Sequence, residues 1–409
     1  MTPWLSVIGI GEDGMAGLAD AARRLIAEAD FLVGGARHLA LVPDSASRAE
    51  RRLWGQPFSA GLDEIMAFRG RPVAVLASGD PMEFGVGASL ARRVAPEEMI
   101  VLPQPGAFSL AASRMRWPLQ DVRRLSLHGR PLEPLGLHLA PGARLLVLTA
   151  DGATPLAVAR WLAARGWGAS DITVLEQLGG PDEARFTARA ADFPERRFAD
   201  LNTLAITCRH DPGARVLPRL AGLPDRAFHH DGQLTKSTVR AVTLALLAPL
   251  PGELLWDVGA GCGSIAIEWL RAAEGSRAIA IERDPSRCRL IALNAAALGV
   301  PDLRIVEGSA PEDLPGLPDP DAIFIGGGLE GALVERCWEA LKPGGRLVSN
   351  AVTVEGEAVL FAVHAVYGGQ LSRIAESHAQ ALGSHYIWRP AIPVTQFVAR
   401  KPGGDGRSA

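Results

Sequence analysis

One segment restricts the fold more than any other. Residues 254–264 read Leu-Leu-Trp-Asp-Val-Gly-Ala-Gly-Cys-Gly-Ser, an apolar run that ends in three glycines and leads straight into the helical pattern SIAIEWLRAA. Glycines at this spacing let the chain turn sharply out of a strand and bring bare backbone against a ligand that a Cβ would exclude. The segment predicts a buried strand, a tight loop and a helix, the opening unit of an α/β domain. Asp257 precedes the glycines, and nineteen residues past Gly263 the strand-like run RAIAIE ends in Glu282. A carboxylate at the tip of a second strand is placed to accept both hydroxyls of a ribose. The G-x-G-x-G spacing is tighter than the dinucleotide fingerprint; an NAD site and a plain capped turn stand as alternatives.

Apolar runs alternate with helical stretches through most of the chain, which is the α/β signature. Upstream lie WLSVIGI, RPVAVLAS, LLVLT, ITVLEQL and LNTLAITCR. The pattern stops over 208–228, where proline, glycine and arginine interrupt any period, and resumes at TKSTVRAVTLALLAPL. For 409 residues this predicts two α/β domains, 1–208 and 226–400, a linker at 209–225 and a disordered tail at 401–409.

Composition narrows the function. Lys+Arg 42 against Asp+Glu 45 leaves a net charge of −3, without the summed positive field of a nucleic-acid binder. Cys208, Cys262, Cys288 and Cys337 lie far apart, at no metal-ligand or redox spacing, so reduced thiols and no metal are expected. No uninterrupted apolar stretch reaches membrane-spanning length. MTPWLSVIGIGEDG lacks a basic segment followed by an apolar one, so the expectation is a cytoplasmic protein without a secretory signal.

The array of Asp257, three glycines and Glu282 resembles the S-adenosylmethionine site of Rossmann-like methyltransferases. That donor has no pyrophosphate, so an acidic residue beside the loop is tolerable, and Asp257 can help attract its ammonium. Where nucleobase methyltransferases carry a proline-rich stacking tetrad, this chain reads Asp321-Ala-Ile-Phe-Ile-Gly-Gly-Gly328. Glycines remove the stacking platform and suit close approach of a bulky flat substrate. Residues 231–268, GSAPEDL (308–314), DAIFIGGG (321–328) and LKPGGRLVSNAVTVE (341–355) closely resemble the precorrin methyltransferase/decarboxylase domain of cobalamin biosynthesis. The resemblance implies donor contacts by Thr235, Gly259, Ala260, Gly261, Cys262, Gly263, Glu282 and Ala310. Ser309 stands where that family often has Asp.

Near the N-terminus, VIGIGEDG fits G-x-G-x-x-G through Gly9, Gly11 and Gly14. Glu12 and Asp13 oppose a dinucleotide reading, because carboxylates at a helix N-terminus compete for the amides that would hold a pyrophosphate. Ser78-Gly79-Asp80-Pro81 ends another apolar run in a rigid turn. Together with PGAFSLAASRMRWPLQDV (105–122), LSLHGRP (125–131) and LLVLTADGATP (145–155), these segments resemble the tetrapyrrole methylase fold of two α/β lobes. That resemblance implies Gly79, Asp80 and Pro81 at the donor, and Gly9 and Gly11 along the substrate trough.

The two domains in this order are similar to the precorrin-6Y methyltransferase family of aerobic cobalamin biosynthesis. Membership would imply one S-adenosylmethionine per domain, no metal, precorrin-6B as substrate and precorrin-8 as product. It would assign methylation of meso carbon 5 to the first domain, and of meso carbon 15 with decarboxylation of the ring-C acetate to the second. It also implies a homo-oligomer, with neither nucleic acid nor membrane as a partner. A substrate rich in carboxylates calls for cations: Arg37, His38, His128, Arg130, His229, His230, Lys236 and Arg240 are candidates, with His128, Arg130 and Lys236 as the substrate-binding choices. No nucleophilic triad is apparent, and the catalytic residues are not identified. The rivals are an RNA methyltransferase with an accessory α/β module, which requires a basic cleft and an aromatic platform, and a regulatory binding protein.

Overall fold

The computed structural model describes residues 3–403. The chain divides into two compact units, one running to Leu132 and including His138–Val216, the other comprising Glu133–Leu137 and the chain from Leu217. The segment after Leu217 packs into the second unit: Leu223 is buried and Arg219 donates to the Arg271 carbonyl at 2.8 Å. Lys401 is held as well, its ammonium donating to the carbonyls of Trp338, Glu339 and Leu341. Positions 404–409 of the expected tail lie outside the described residues.

The first unit has two lobes. One is a parallel sheet of β1 (Leu5–Ile10), β2 (Phe31–Gly34), β3 (Glu50–Leu53), β4 (Val73–Ser78) and β5 (Met99–Leu102), ordered β3-β2-β4-β1-β5. Helices α1 (Asp20–Glu28), α2 (Ala36–Ala40), α3 (Phe58–Ala67) and α4 (Val86–Leu90) accompany it. β1 is buried along its whole length and β4 along all but its last residue, as unbroken apolar runs in a covered parallel sheet should be. The other lobe, with α5 (Ala107–Met115) and α6 (Thr154–Ala163), is a mixed sheet. Its strands are β6 (Val122–Ser126), β7 (Arg144–Leu148), β8 (Asp171–Glu176), β9 (Ala184–Arg189) and β10 (Asn202–Thr207), ordered β6-β7-β10-β8-β9.

The second unit is built on seven strands. β11 (Leu254–Val258), β12 (Arg277–Glu282), β13 (Arg304–Glu307), β14 (Ala322–Ile325) and β15 (Arg346–Ala351) are mutually parallel. β16 (Gln370–Ile374) follows them, β17 (Ser377–Leu382) and β18 (His385–Pro390) form a separate ribbon, and β19 (Val394–Arg400) returns antiparallel between β15 and β16. The order β13-β12-β11-β14-β15-β19-β16 reverses direction beside β11, which opens a crevice at the carboxyl ends of β11 and β14. Helices α7 (Ser237–Leu247), α8 (Ser264–Ala272), α9 (Pro285–Ala297), α10 (Gly331–Ala340) and α11 (Val354–Tyr367) accompany the sheet. Its two faces bury separate clusters, one containing Trp269 and the other Trp256.

Among the described residues, no helix is long and apolar enough to cross a membrane, and no group of His, Cys, Asp or Glu is gathered to hold a metal. All four cysteines are free and buried.

Helix α7 ends on Ala248 in the left-handed region, leaving its last carbonyls without helical partners. Arg346, 4% exposed at the start of β15, donates to the carbonyls of Leu247 and Ala248 and grips both oxygens of Glu253 at 2.7 and 2.6 Å. Arg346→Met strips these acceptors of their donor. It is expected to destabilise the second unit by about 3 kcal/mol, the scale for breaking a buried pair. Urea unfolding followed by tryptophan fluorescence measures this, and a loss below about 1 kcal/mol would reduce the pair to a surface ornament.

Candidate active site

At the crevice of the seven-stranded sheet lies a cavity of about 980 Å³. The loop after β11 forms its floor. Gly259 sits at φ +69°, and a Cβ built there would stand 2.7 Å from the Gly327 nitrogen, so only glycine lets the two strand-end loops come this close. The Gly261 amide donates to Glu282 Oε2 at 2.8 Å, and the Asp284 amide to Glu282 Oε1 at 3.0 Å. The loop and the second strand tip are thereby fixed to each other. An ionised carboxylate has about four acceptor positions, so Glu282 keeps capacity for a ligand's hydroxyls. Asn294, fully buried on α9, donates to the carbonyls of Cys262 and His229 and accepts the His229 amide, tying the loop to the chain ahead of α7.

The cavity gathers Thr235, Lys236, Gly259, Ala260, Gly261, Cys262, Glu282 and Ala310. Gly263 borders it as the residue preceding α8, although it is not itself part of the lining. Burial pushes the Cys262 thiol up to about 11. Asp257 lies beneath the loop, 1% exposed, accepting the Ala266 amide at 2.9 Å while its second oxygen has no partner. Burial raises its carboxyl to about 7; the Ala266 amide opposes that shift and the nearby Glu282 charge adds to it. A group so placed acts on the loop from below and is not part of the cavity lining.

Arg240 corrects an expectation. Expected to serve the substrate's carboxylates, it is instead 0% exposed, bound to Glu268 at 2.6 Å and to the carbonyls of Thr235 and Leu223, with its guanidinium 4.8 Å from the centre of the Phe228 ring. Its polar position on α7 faces inward because Glu268 of α8 waits there. His229 and His230 are exposed and do not line the cavity. Residues not singled out from the sequence also line it: Arg283, Arg287, Asn350 and Glu376. The two arginines just past Glu282 carried a faint signal, cations next to an acidic strand end. Asn350 and Glu376 arrive only through the folding of β15 and β16 onto the same edge.

In the first unit a smaller cavity of about 60 Å³ lies at the ends of β1 and β4, lined by Gly11, Glu12, Arg37, Ser78, Gly79 and residues of the second lobe. Gly9 is packed so closely that a Cβ would fall 1.8 Å from the Gly79 carbonyl oxygen. Arg37 pairs with Glu12 and donates to Ser78 Oγ at 2.7 Å. His38 Nε2 lies 2.8 Å from the same hydroxyl, and burial followed by the Arg37 charge lowers its imidazole to about 4. Asp80 is half-buried and accepts the Met82 amide, while buried Pro81 packs under Gly85 and Gly87. His128 and Arg130 are exposed, Arg130 lying 5.2 Å from the centre of the Phe84 ring. Neither they nor Gly9, Asp80 and Pro81 line the small cavity.

Residues 5–194 match the family of tetrapyrrole (corrin/porphyrin) methylases, and residues 226–401 match the precorrin methyltransferase domain. A precorrin-6Y C(5,15)-methyltransferase (decarboxylating) from a Sinorhizobium species is 54% identical over 398 residues, 97% of this chain and 96% of that protein. The chain belongs to the precorrin-6Y C(5,15)-methyltransferase family. Two shorter relatives each align with 44% of this member. One is a probable cobalt-precorrin-6B C(15)-methyltransferase (decarboxylating) of Pyrobaculum aerophilum, 35% identical over 95% of its length. The other is a cobalt-precorrin-7 C(5)-methyltransferase of Salmonella typhimurium, 33% identical over 87% of its length.

The buried acid under the loop of this precorrin-6Y methyltransferase family member sets a pH dependence. Asp257 holds a proton in the folded chain up to about pH 7 but releases it near 3.8 when unfolded. The folded state therefore binds more protons across that interval, and stability falls as pH rises through it, levelling once both states are ionised. Asp257→Asn cannot titrate. Between pH 5 and about 7 the wild type should lose stability relative to Asp257→Asn in denaturant melts, with a constant difference above that. Parallel curves across the range would show the carboxyl ionising at its ordinary pKa.

Proposed function

We propose that this chain transfers methyl groups from S-adenosylmethionine to meso carbons 5 and 15 of precorrin-6B and decarboxylates the ring-C acetate, giving precorrin-8 in aerobic cobalamin biosynthesis. The observation that carries the reading is the second unit's cavity. It joins a glycine floor, a strand-end carboxylate fixed by two amides and an open Gly326–Gly328 wall, with room for a nucleoside beside a flat macrocycle. The residues fit S-adenosylmethionine on their chemistry. Glu282 suits ribose hydroxyls, Gly259 to Gly263 offer bare backbone, and Thr235 and Ala310 close the sides. When bound, the donor supplies an electrophilic methyl on a sulfonium.

The protein's own work is alignment. A meso carbon of a reduced tetrapyrrole is already nucleophilic, and holding it in line contributes on the order of 7–11 kcal/mol. Lys236, Arg283 and Arg287 at the cavity offer cations to the substrate's carboxylates, with Arg287 steadied by Asp231 at 2.8 Å. In the first unit, Gly79, Asp80 and Pro81 frame the donor, Gly9 and Gly11 the trough, and His128 and Arg130 stand outside as surface cations for peripheral carboxylates. The two shorter relatives, one named for carbon 15 with decarboxylation and one for carbon 5, support a division of labour in which the first unit acts at carbon 5 and the second at carbon 15.

The test is the purified chain with precorrin-6B and labelled S-adenosylmethionine, following product mass with time and donor stoichiometry by calorimetry. Two donor sites per chain, two methyl groups gained and one carbon dioxide lost are expected. Donor binding with an unchanged tetrapyrrole would overturn the substrate, and label appearing in RNA would favour the rival methyltransferase.

A further inference from the structure

Six titratable or charged side chains line the second unit's cavity: Lys236, Cys262, Glu282, Arg283, Arg287 and Glu376. Three are cations. Cys262 is kept as a thiol by burial, and Glu282 has both oxygens engaged by backbone amides. Glu376 is the carboxylate left over, and none of the work described above employs it. It stands between β16 and the ribbon, where its carbonyl accepts the Ala391 amide at 2.9 Å and pins the ribbon's two ends together. Its side chain is 19% exposed, with the imidazole of His378 3.4 Å away on the outer side. The neighbouring lining is apolar: Ile374, Pro390, Ile392 and Val394.

The two reactions proposed for this unit have complementary proton demands. Methyl transfer breaks the sulfur–carbon bond and forms a carbon–carbon bond at the meso carbon. That carbon releases its hydrogen as a proton as the new bond forms, the C–H electron pair returning to the macrocycle. Decarboxylation breaks the acetate's carbon–carbon bond and sends its electron pair into the macrocycle. Proton uptake by the exocyclic carbon is coupled to that bond breaking: the pair returns from the macrocycle into a new carbon–hydrogen bond, giving a methyl group. One step yields a proton, the other consumes one, and no oxidant or reductant enters. We propose that Glu376 is the acid–base residue of the second unit, taking the proton from the meso carbon and returning it to the decarboxylated carbon. This inference rests on the function proposed above.

The experiment compares the full-length wild type with Glu376→Gln and Glu376→Asp. Methyl transfer and carbon dioxide release are timed separately on precorrin-6B, with melting midpoint and calorimetric donor affinity as readouts independent of turnover. In Glu376→Gln, methyl transfer by the second unit should slow by about 100-fold or more, the usual worth of a positioned acid–base group. The species that has gained that methyl should accumulate with its acetate intact. Donor affinity should stay within about twofold and the melting midpoint unchanged, while Glu376→Asp restores part of both rates. Methyl transfer at the wild-type rate, or carbon dioxide loss keeping pace with slowed methylation, would overturn the shared role. So would a Glu376→Gln defect explained by lost folding or donor binding while Glu376→Asp works no better. A wild type that leaves the tetrapyrrole unchanged overturns the function and this inference together, whereas an active wild type with an equally active Glu376→Gln removes the inference alone.

Discussion

The second unit depends on a pair of charges withdrawn from water. Arg240 and Glu268 are 0% and 1% exposed, and removing two ions from solvent is repaid only when every remaining hydrogen-bonding position is met. Here they are met by the chain that enters the unit. Glu268 accepts the amides of Gly222 and Leu223, and Arg240 donates to the carbonyls of Leu223 and Thr235. Two helices that would otherwise touch through apolar side chains are joined to an irregular segment, and that segment ends at Thr235 on the rim of the cavity. A hydrophobic replacement of equal volume could fill the space between α7 and α8, but it could not fix the path of residues 222–235.

From that anchor the site follows by topology. A parallel sheet whose order reverses beside β11 leaves its strand-end loops with no crossover helix above them, and the glycine floor occupies this gap. Asp257 and Asn294 hold the loop from beneath and behind, so the backbone that faces the ligand has little freedom to rearrange. The buried network of Thr243, Asn350 and Gln396 does the same at the far wall, where the amide of Gln396 donates to the Thr243 hydroxyl and to Asn350 Oδ1. Rigid elements on three sides and a ribbon on the fourth give a cavity that is shaped before any ligand arrives.

Much of this could be read from the chain because it is written locally. A glycine run between a strand and a helix has one geometric solution, and the carboxylate at the next strand tip follows from the period of the βαβ unit. Arg240 could not be read, because its meaning depends on Glu268, twenty-eight residues away on another helix. Glu376 was hidden for a similar reason. It lies beside a ribbon whose residues are exposed on both faces, so no apolar alternation marks the strands, and it meets the cavity only through the return of β19. β3, with the charged sequence ERRL on the edge of its sheet, was silent for the same lack of a buried face. His128 and Arg130 lie in a segment that matches a family pattern, and both side chains are exposed.

The loop that faces the proposed donor carries a cysteine, and sulfur is a strong nucleophile toward a sulfonium methyl. Cys262 is 3% exposed, and burial pushes its thiol up to about 11, well above neutral pH, so the sulfur stays protonated and poorly nucleophilic. The same apolar packing that seats the loop on α9 therefore spares the enzyme from alkylating itself.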